Sequence, residues 1–269
     1  MYQPRHPALP TSSRAATALC SGLLLLLTPV ATTARPQTPP AAPPATASAA
    51  QEAKPGTPKP TPKPERFEKQ IAAFEARDRE KPPAKGGVVF VGSSSIGGWR
   101  TLLTDFPDVT TLNRGFGGSI VPDSVHFADR IVLPYRPRAV VFYAGDNDIS
   151  GGRTPGQVLA DFQAFVKKVR DGGLPDTVVY FLAIKPSLSR WHLWDRMSRA
   201  NALVRDWAGT QAGKVVFVDV ATPMLGTDGK PRPELFKADR LHMTPEGYQL
   251  WTRVLTPHLA AYQNSKPAR

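Results

Sequence analysis

The sequence predicts an α/β fold: a three-layer α/β/α sandwich around a five-stranded parallel sheet. Five short runs rich in Val, Phe and Tyr recur along the chain, at 87–91, 109–112, 139–143, 177–183 and 214–218. Helical periodicity follows them, most clearly at 157–170, 191–208 and 245–262. Strands and helices alternating in this way close into a parallel sheet with helices on both faces, and strands buried on both faces read as continuous apolar runs. Length and composition agree, since 269 residues with 41% hydrophobic and 21% charged side chains supply one sizeable core and exclude wholesale disorder.

The chain opens with an export pattern over residues 1–34. Arg5, His6 and Arg14 precede an apolar stretch at 15–30 with a leucine run at 23–27, and Thr32, Thr33 and Ala34 offer small residues for cleavage. A signal peptide is expected, with the mature chain starting near Arg35 in a periplasmic, secreted or cell-surface location. If it is not cleaved, 15–34 has about the ~20 residues of a spanning helix and would tether the domain to a membrane. Cys20 lies before the leucine run, the wrong side for a lipid-modified cysteine. It is also the single cysteine, so the rest of the chain has neither a disulfide nor a cysteine-based metal site. Residues 35–64 are dense in proline and hold no Val, Ile, Leu or aromatic residue, the composition of an extended linker.

The folded domain is expected over 65–269. Phe67, Ile71 and Phe74 recur at helical spacing in a charged segment, which predicts an amphipathic helix packed on the domain before the first strand. Thr154 with Pro155, and Thr244 with Pro245, give the cap-then-proline start of two later helices. In such sheets ligands gather at the carboxyl ends of the strands, so the residues just beyond each strand are the first candidates for a site.

Beyond the first strand stands Gly92-Ser93-Ser94-Ser95, where a serine is exposed near backbone N–H groups able to hold an oxyanion. The second strand leads into Asn113-Arg114-Gly115-Phe116-Gly117-Gly118-Ser119, whose glycines allow tight turns and close approach by a ligand. The third ends at Gly145-Asp146-Asn147-Asp148, and after the fifth comes Asp239-Arg240-Leu241-His242. Taken in order, these four segments resemble the four sequence blocks of the SGNH hydrolases, also called the GDSL esterase/lipase family. The resemblance covers roughly 87–258 and rests on short motifs that become specific jointly, through their order.

The resemblance implies the flavodoxin-like SGNH hydrolase fold and a serine esterase that cleaves carboxylic esters through an acyl-enzyme intermediate. It makes Ser94 the nucleophile, His242 and Asp239 its triad partners, and Ser94, Gly118 and Asn147 the oxyanion hole. A neutral serine hydroxyl is a weak nucleophile, so His242 takes its proton during attack while Asp239 orients and stabilises the imidazolium. One position departs from the namesake motif: Ser93 stands where Asp usually precedes the nucleophile, which leaves Ser93 and Ser95 open as alternatives. The expected substrate is a small-molecule, glycan or lipid ester. No long apolar insertion is present to form a lid or acyl tunnel, which points to short acyl groups such as acetyl. The alternatives are a lysophospholipase or thioesterase, and a glycan-binding module without turnover.

Other residues compete for these roles. Asp123 and His126 repeat the Asp-x-x-His spacing, but they follow Pro122 in what reads as the first turn of a helix, where Asp satisfies free N–H groups. His192 and Asp195 read as a helix-surface pair. Trp191 and Trp194 follow the fourth strand's end and are candidates either for lining a substrate cleft or for packing. Arg114, beside the glycine turn, is a candidate contact for an anionic substrate or a structural arginine.

The net charge of +12 does not imply nucleic acid as a partner. Residues 1–64 carry six Lys/Arg against one acidic residue, and elsewhere basic and acidic residues are interspersed rather than gathered with aromatics on one face. No His, Asp and Glu cluster has metal-ligand spacing, and the proposed chemistry calls for no cofactor. A serine-rich loop after the first strand could also cradle a flavin phosphate, but that reading leaves Asn147, Asp239 and His242 without a role.

Overall fold

The computed structural model describes residues 63–263, so the expected leader and nearly all of the linker lie outside the described residues. Among the described residues no helix is long and apolar enough to cross a membrane. The domain begins with a 3-10 turn at Pro64–Phe67 that runs into helix α1, Glu68–Glu80. Phe67 and Ile71 are buried on the expected face, and Phe74 is half-buried beside them.

Five parallel strands follow: β1 Val88–Gly92, β2 Thr111–Gly115, β3 Ala139–Tyr143, β4 Val178–Leu182 and β5 Val215–Val218, in the spatial order β2-β1-β3-β4-β5. The order reverses between β1 and β3, so the crevice at this switch point opens beyond the ends of those strands. The central strands β1 and β3 are buried throughout, as continuous apolar runs should be. The edge strands β2 and β5 are only partly buried, because each lacks a neighbour on one side.

The second strand departs most from expectation. Its apolar residues predict 109–112, whereas the paired segment is Thr111–Gly115, with Asn113 and Arg114 inside it. An edge strand tolerates these polar residues because each side chain finds a partner. Asn113 Nδ2 donates to the Ile96 carbonyl at 2.7 Å, and Arg114 is held on the opposite face.

Side chains alternate across the pleat and build two apolar layers. Val89, Val91, Val140, Phe142, Val179 and Phe181 face α1, α4 (Val121–Ile131), α6 (Pro155–Asp171) and α7 (Trp194–Gly209). Phe90, Val141, Tyr143 and Leu182 face the short helices α2 (Ser94–Gly97) and α3 (Leu102–Asp105) and the C-terminal helix α8, Pro245–Leu259. A five-residue helix α5, Asp146–Ser150, follows β3. Both predicted threonine caps are present: the side chain of Thr154 accepts from Gln157 N–H and that of Thr244 from Gly247 N–H. Helix α8 is anchored by Trp251, which is fully buried with its ring centroid 4.9 Å from that of Tyr143. The loop before α8 is thereby fixed over the ends of the central strands.

Candidate active site

At the end of β1 the backbone turns sharply at Gly92, whose φ of +136° and closeness to Tyr143 admit no side chain: a Cβ there would lie 1.8 Å from the Tyr143 carbonyl oxygen. The turn delivers three serines in different settings. Ser93 and Ser95 are buried, each 3% exposed, while Ser94 is half-buried and faces the crevice. Backbone bonds steady the loop where the motif carboxylate is missing. Ser93 N–H donates to the Tyr143 carbonyl at 3.0 Å, the Ser93 carbonyl accepts from Ile96 and Gly97 at 3.0 Å each, and the Tyr248 hydroxyl donates to the Ser95 carbonyl at 3.1 Å.

The loop before α8 brings the second part of the site. Asp239 Oδ1 accepts from the N–H groups of Leu241 and His242, each at 2.9 Å, which folds the Asp-x-x-His segment on itself. Arg240 adopts the left-handed conformation (φ +60°) in that turn. The other carboxylate oxygen of Asp239 lies 2.6 Å from His242 Nδ1, and His242 Nε2 lies 3.0 Å from Ser94 Oγ. A tautomer with Nδ1–H donating to Asp239 leaves Nε2 free to accept the Ser94 proton. The ring hydrogen bond and the two backbone N–H groups hold the Asp239 carboxyl well below the usual carboxylate range, so it is charged at neutral pH. Residues far apart in the sequence thus meet in a hydroxyl–imidazole–carboxylate relay.

The two remaining blocks meet each other beside the serine loop. Gly117 lies close against Ser94, with a Cβ built on it 3.7 Å from the serine Cβ, and Gly118 follows in the left-handed region at φ +84°. Among the described residues the N–H groups of Ser94 and Gly118 donate to no protein acceptor, the condition for donors awaiting an oxyanion. The Asn147 side chain is held at both ends: Nδ2 donates to the Ser119 carbonyl at 2.9 Å, and Oδ1 accepts from Arg190 Nη1 at 3.1 Å.

Two neighbouring carboxylates flank Asn147 in opposite states. Burial works against the charge of Asp146, but Lys185 and Arg190 outweigh it and hold the carboxyl below its ordinary range. Lys185 is itself completely enclosed, its Nζ 2.9 Å from Asp146 Oδ2 and 3.3 Å from the Tyr143 hydroxyl, and the aspartate keeps it protonated against its burial. Asp148 is equally buried, but its close partners are the N–H groups of Val121 and Gly145, at 3.0 and 2.9 Å. Burial pushes its carboxyl up to about 7.

The other sequence candidates fall outside this convergence. Arg114 is held away from this convergence. Its side chain leaves β2 toward α1, where it pairs with Asp78, donates to the Tyr135 hydroxyl at 2.9 Å and lies over the Phe74 ring. The sequence placed it in the glycine turn, but it belongs to the strand, whose pleat points it away from Ser94. It borders a groove of about 640 Å³ lined also by Gly87, Val88 and Thr111, at the opposite ends of the strands. Asp123 caps α4 by accepting from Ile120 N–H at 2.8 Å and pairs with Arg66, while His126 is exposed beside Phe127. His192 and Asp195 are both exposed at the start of α7. Trp191 and Trp194 stack on each other with centroids 5.8 Å apart, and Trp194 packs against both apolar layers. Among the described residues no group of three His, Cys, Asp or Glu side chains is arranged to hold a metal ion.

Sequence reasoning did not find Lys185 and Arg190. The available signal was two basic residues beyond the fourth strand, beside a third strand followed closely by an aspartate.

The comparisons with known proteins agree with this architecture. No curated protein matches the chain. Among solved structures, a GDSL-like lipase from Bacteroides thetaiotaomicron superposes with a TM-score of 0.58 at 22% identity, covering 74% of this chain and 97% of that one. A proposed platelet activating factor from Streptococcus pneumonia gives 0.64 at 19% identity, covering 72% and 93%. An acetylxylan esterase from Geobacillus stearothermophilus gives 0.54 at 14% identity, covering 69% and 99%. At these identities the likeness establishes the α/β/α fold. The model of the GDSL-like Lipase/Acylhydrolase family matches residues 84–250, a span that contains Ser94, Gly118, Asn147, Asp239 and His242. The chain belongs to that family, as an SGNH-type ester hydrolase.

Proposed function

We propose that this protein is an exported serine esterase that hydrolyses short-chain or O-acetyl carboxylic esters through an acyl-enzyme intermediate. The observation that carries the reading is the continuous relay from Ser94 Oγ to His242 Nε2, at 3.0 Å, and from His242 Nδ1 to Asp239, at 2.6 Å. In the proposed reaction Ser94 Oγ attacks the ester carbonyl as its proton passes to His242 Nε2. The tetrahedral oxyanion is held by the Ser94 and Gly118 N–H groups and the Asn147 amide. Collapse expels the alcohol, which takes the proton back from His242. A water molecule, activated by the same histidine, then releases the acid. Trp191, next to Arg190 in the sequence, is the proposed flank of the substrate cleft. The acetylxylan esterase neighbour supports an O-acetyl glycan as substrate class, and the apolar leader at 15–30 supports export.

The test is turnover of nitrophenyl acetate, butyrate and a longer ester by the purified protein. Acetate is expected to turn over fastest, and Ser94→Ala and His242→Ala are each expected to lower kcat by at least about 10³-fold. His126→Ala is expected to retain activity. Retained turnover in Ser94→Ala overturns the nucleophile, preference for the long ester favours a lipolytic enzyme, and no turnover of any ester favours a glycan-binding module.

A further inference from the structure

We propose that Arg190 is a positioning residue that fixes the Asn147 amide as an oxyanion donor, with the buried Lys185–Asp146 pair as its anchor. The inference rests on the reading of the site given above. A terminal amide has two faces of nearly equal shape, and only one orientation presents N–H to a developing oxyanion. Here both ends are constrained. The Ser119 carbonyl takes one hydrogen of Nδ2 at 2.9 Å, and the Arg190 guanidinium donates to Oδ1 at 3.1 Å, leaving the second N–H of Nδ2 for substrate. A flipped amide would set its NH₂ against the guanidinium and its oxygen against the Ser119 carbonyl, two repulsive contacts instead of two hydrogen bonds.

Arg190 can hold this orientation because it is itself held. The same Nη1 that reaches Asn147 also pairs with Asp146 Oδ1, and Asp146 Oδ2 is occupied by Lys185. The anchor is dry: the side chains of Asp146 and Lys185 are 5% and 2% exposed, while that of Arg190 is 20% exposed at the crevice. The loop carrying Arg190 is joined to the histidine loop by the hydrogen bond from Ser189 N–H to the Arg240 carbonyl, at 3.0 Å.

A double-mutant cycle tests the proposal, with nitrophenyl acetate as substrate and thermal unfolding measured on each variant. Arg190→Lys keeps a cation for Asp146, but its ammonium ends one bond short of the Nη1 position that reaches Asp146 and Asn147 together. It is expected to unfold near the wild-type temperature and to lose about 10- to 100-fold in kcat, less than deletion of the amide donor, with KM little changed. In an Asn147→Ala background the same replacement is expected to cost nothing further, because its target is gone. Arg190→Ala should behave likewise, and added guanidinium should restore part of its kcat but none in Arg190→Ala/Asn147→Ala. Fold-losses that multiply in the double variants, a raised KM with kcat retained, or full activity in Arg190→Lys overturn the proposal. Ser94→Ala in the same series separates the two readings: if it keeps turnover, the site assignment fails, whereas if it loses turnover and Arg190→Lys does not, only the positioning role fails.

Discussion

Arg114 and Arg190 are each paired with an aspartate inside the domain, Arg114 with Asp78 at the edge strand and Arg190 with Asp146 beyond the central strands. Arg114 is almost wholly buried and spends its donors on Asp78, on the Tyr135 hydroxyl and on its neighbour's carbonyl, so its cluster fastens α1 to the sheet. Arg190 keeps one side open to the crevice and touches the amide of Asn147. The chemistry of the two pairs is the same. Their position relative to the strand ends differs, and in a parallel α/β sheet that position separates a structural pair from one able to act on substrate.

Removing the carboxylate from each pair probes that contrast. Asp146→Asn leaves the enclosed Lys185 ammonium without a carboxylate counter-charge, and breaking a buried pair from one side typically costs about 3–5 kcal/mol. Urea unfolding should show a loss of that size, accompanied by a fall in kcat. Wild-type stability in the variant would mean that the pair does not anchor this corner. At the other cluster, Arg114→Ala removes charge-assisted hydrogen bonds but leaves Asp78 partly open to water, so about 1.5–3 kcal/mol is expected, with turnover unchanged. A fall in kcat without loss of stability would erase the contrast and return Arg114 to the site.

A smaller effect distinguishes Asp148 from Asp146, its neighbour in the same block. Asp148 has its carboxyl raised from an ordinary 3.8 to about 7, so between those limits the folded protein keeps a proton that the unfolded chain has released. Its contribution to stability is therefore complete at low pH and is lost as pH rises, with a slope of at most about 1.4 kcal/mol per pH unit. Asp146 has the opposite sign: its depressed carboxyl contributes stability that is lost on acidification below its ordinary range. Following unfolding from pH 4 to 7, the stability of Asp148→Asn relative to wild type should improve steadily. A flat difference would show that Asp148 is ionised in the fold throughout.

The same contrast explains what could be read from sequence. The blocks that hold Ser94, Gly118, Asn147, Asp239 and His242 stand out because the residue types and order of each suffice to pick it out, and the structure brings Ser94, His242 and Asp239 together. The alternation of elements and the threonine caps were legible because both are local patterns. Arg114 reads as a turn residue because β2 is an edge strand whose polar residues break the apolar run, which shifts the expected strand toward the N-terminus and leaves the arginine beyond it. Arg190 and Lys185 carry no local signature. Their meaning comes from β4 lying beside β3, which sets two cations from one loop against an aspartate lying 39 and 44 residues away in sequence. Among three adjacent serines the sequence could not choose by chemistry alone, whereas burial of Ser93 and Ser95 leaves only Ser94 within reach of the imidazole.

That choice can be measured directly by mass spectrometry after treatment with a nitrophenyl phosphonate ester, from which an activated serine oxygen displaces nitrophenolate to form a stable phosphonyl adduct. The expected result is one adduct per chain, located by fragmentation on Ser94 and absent from both Ser94→Ala and His242→Ala. An adduct on Ser93 or Ser95, or labelling that persists without His242, would contradict the account.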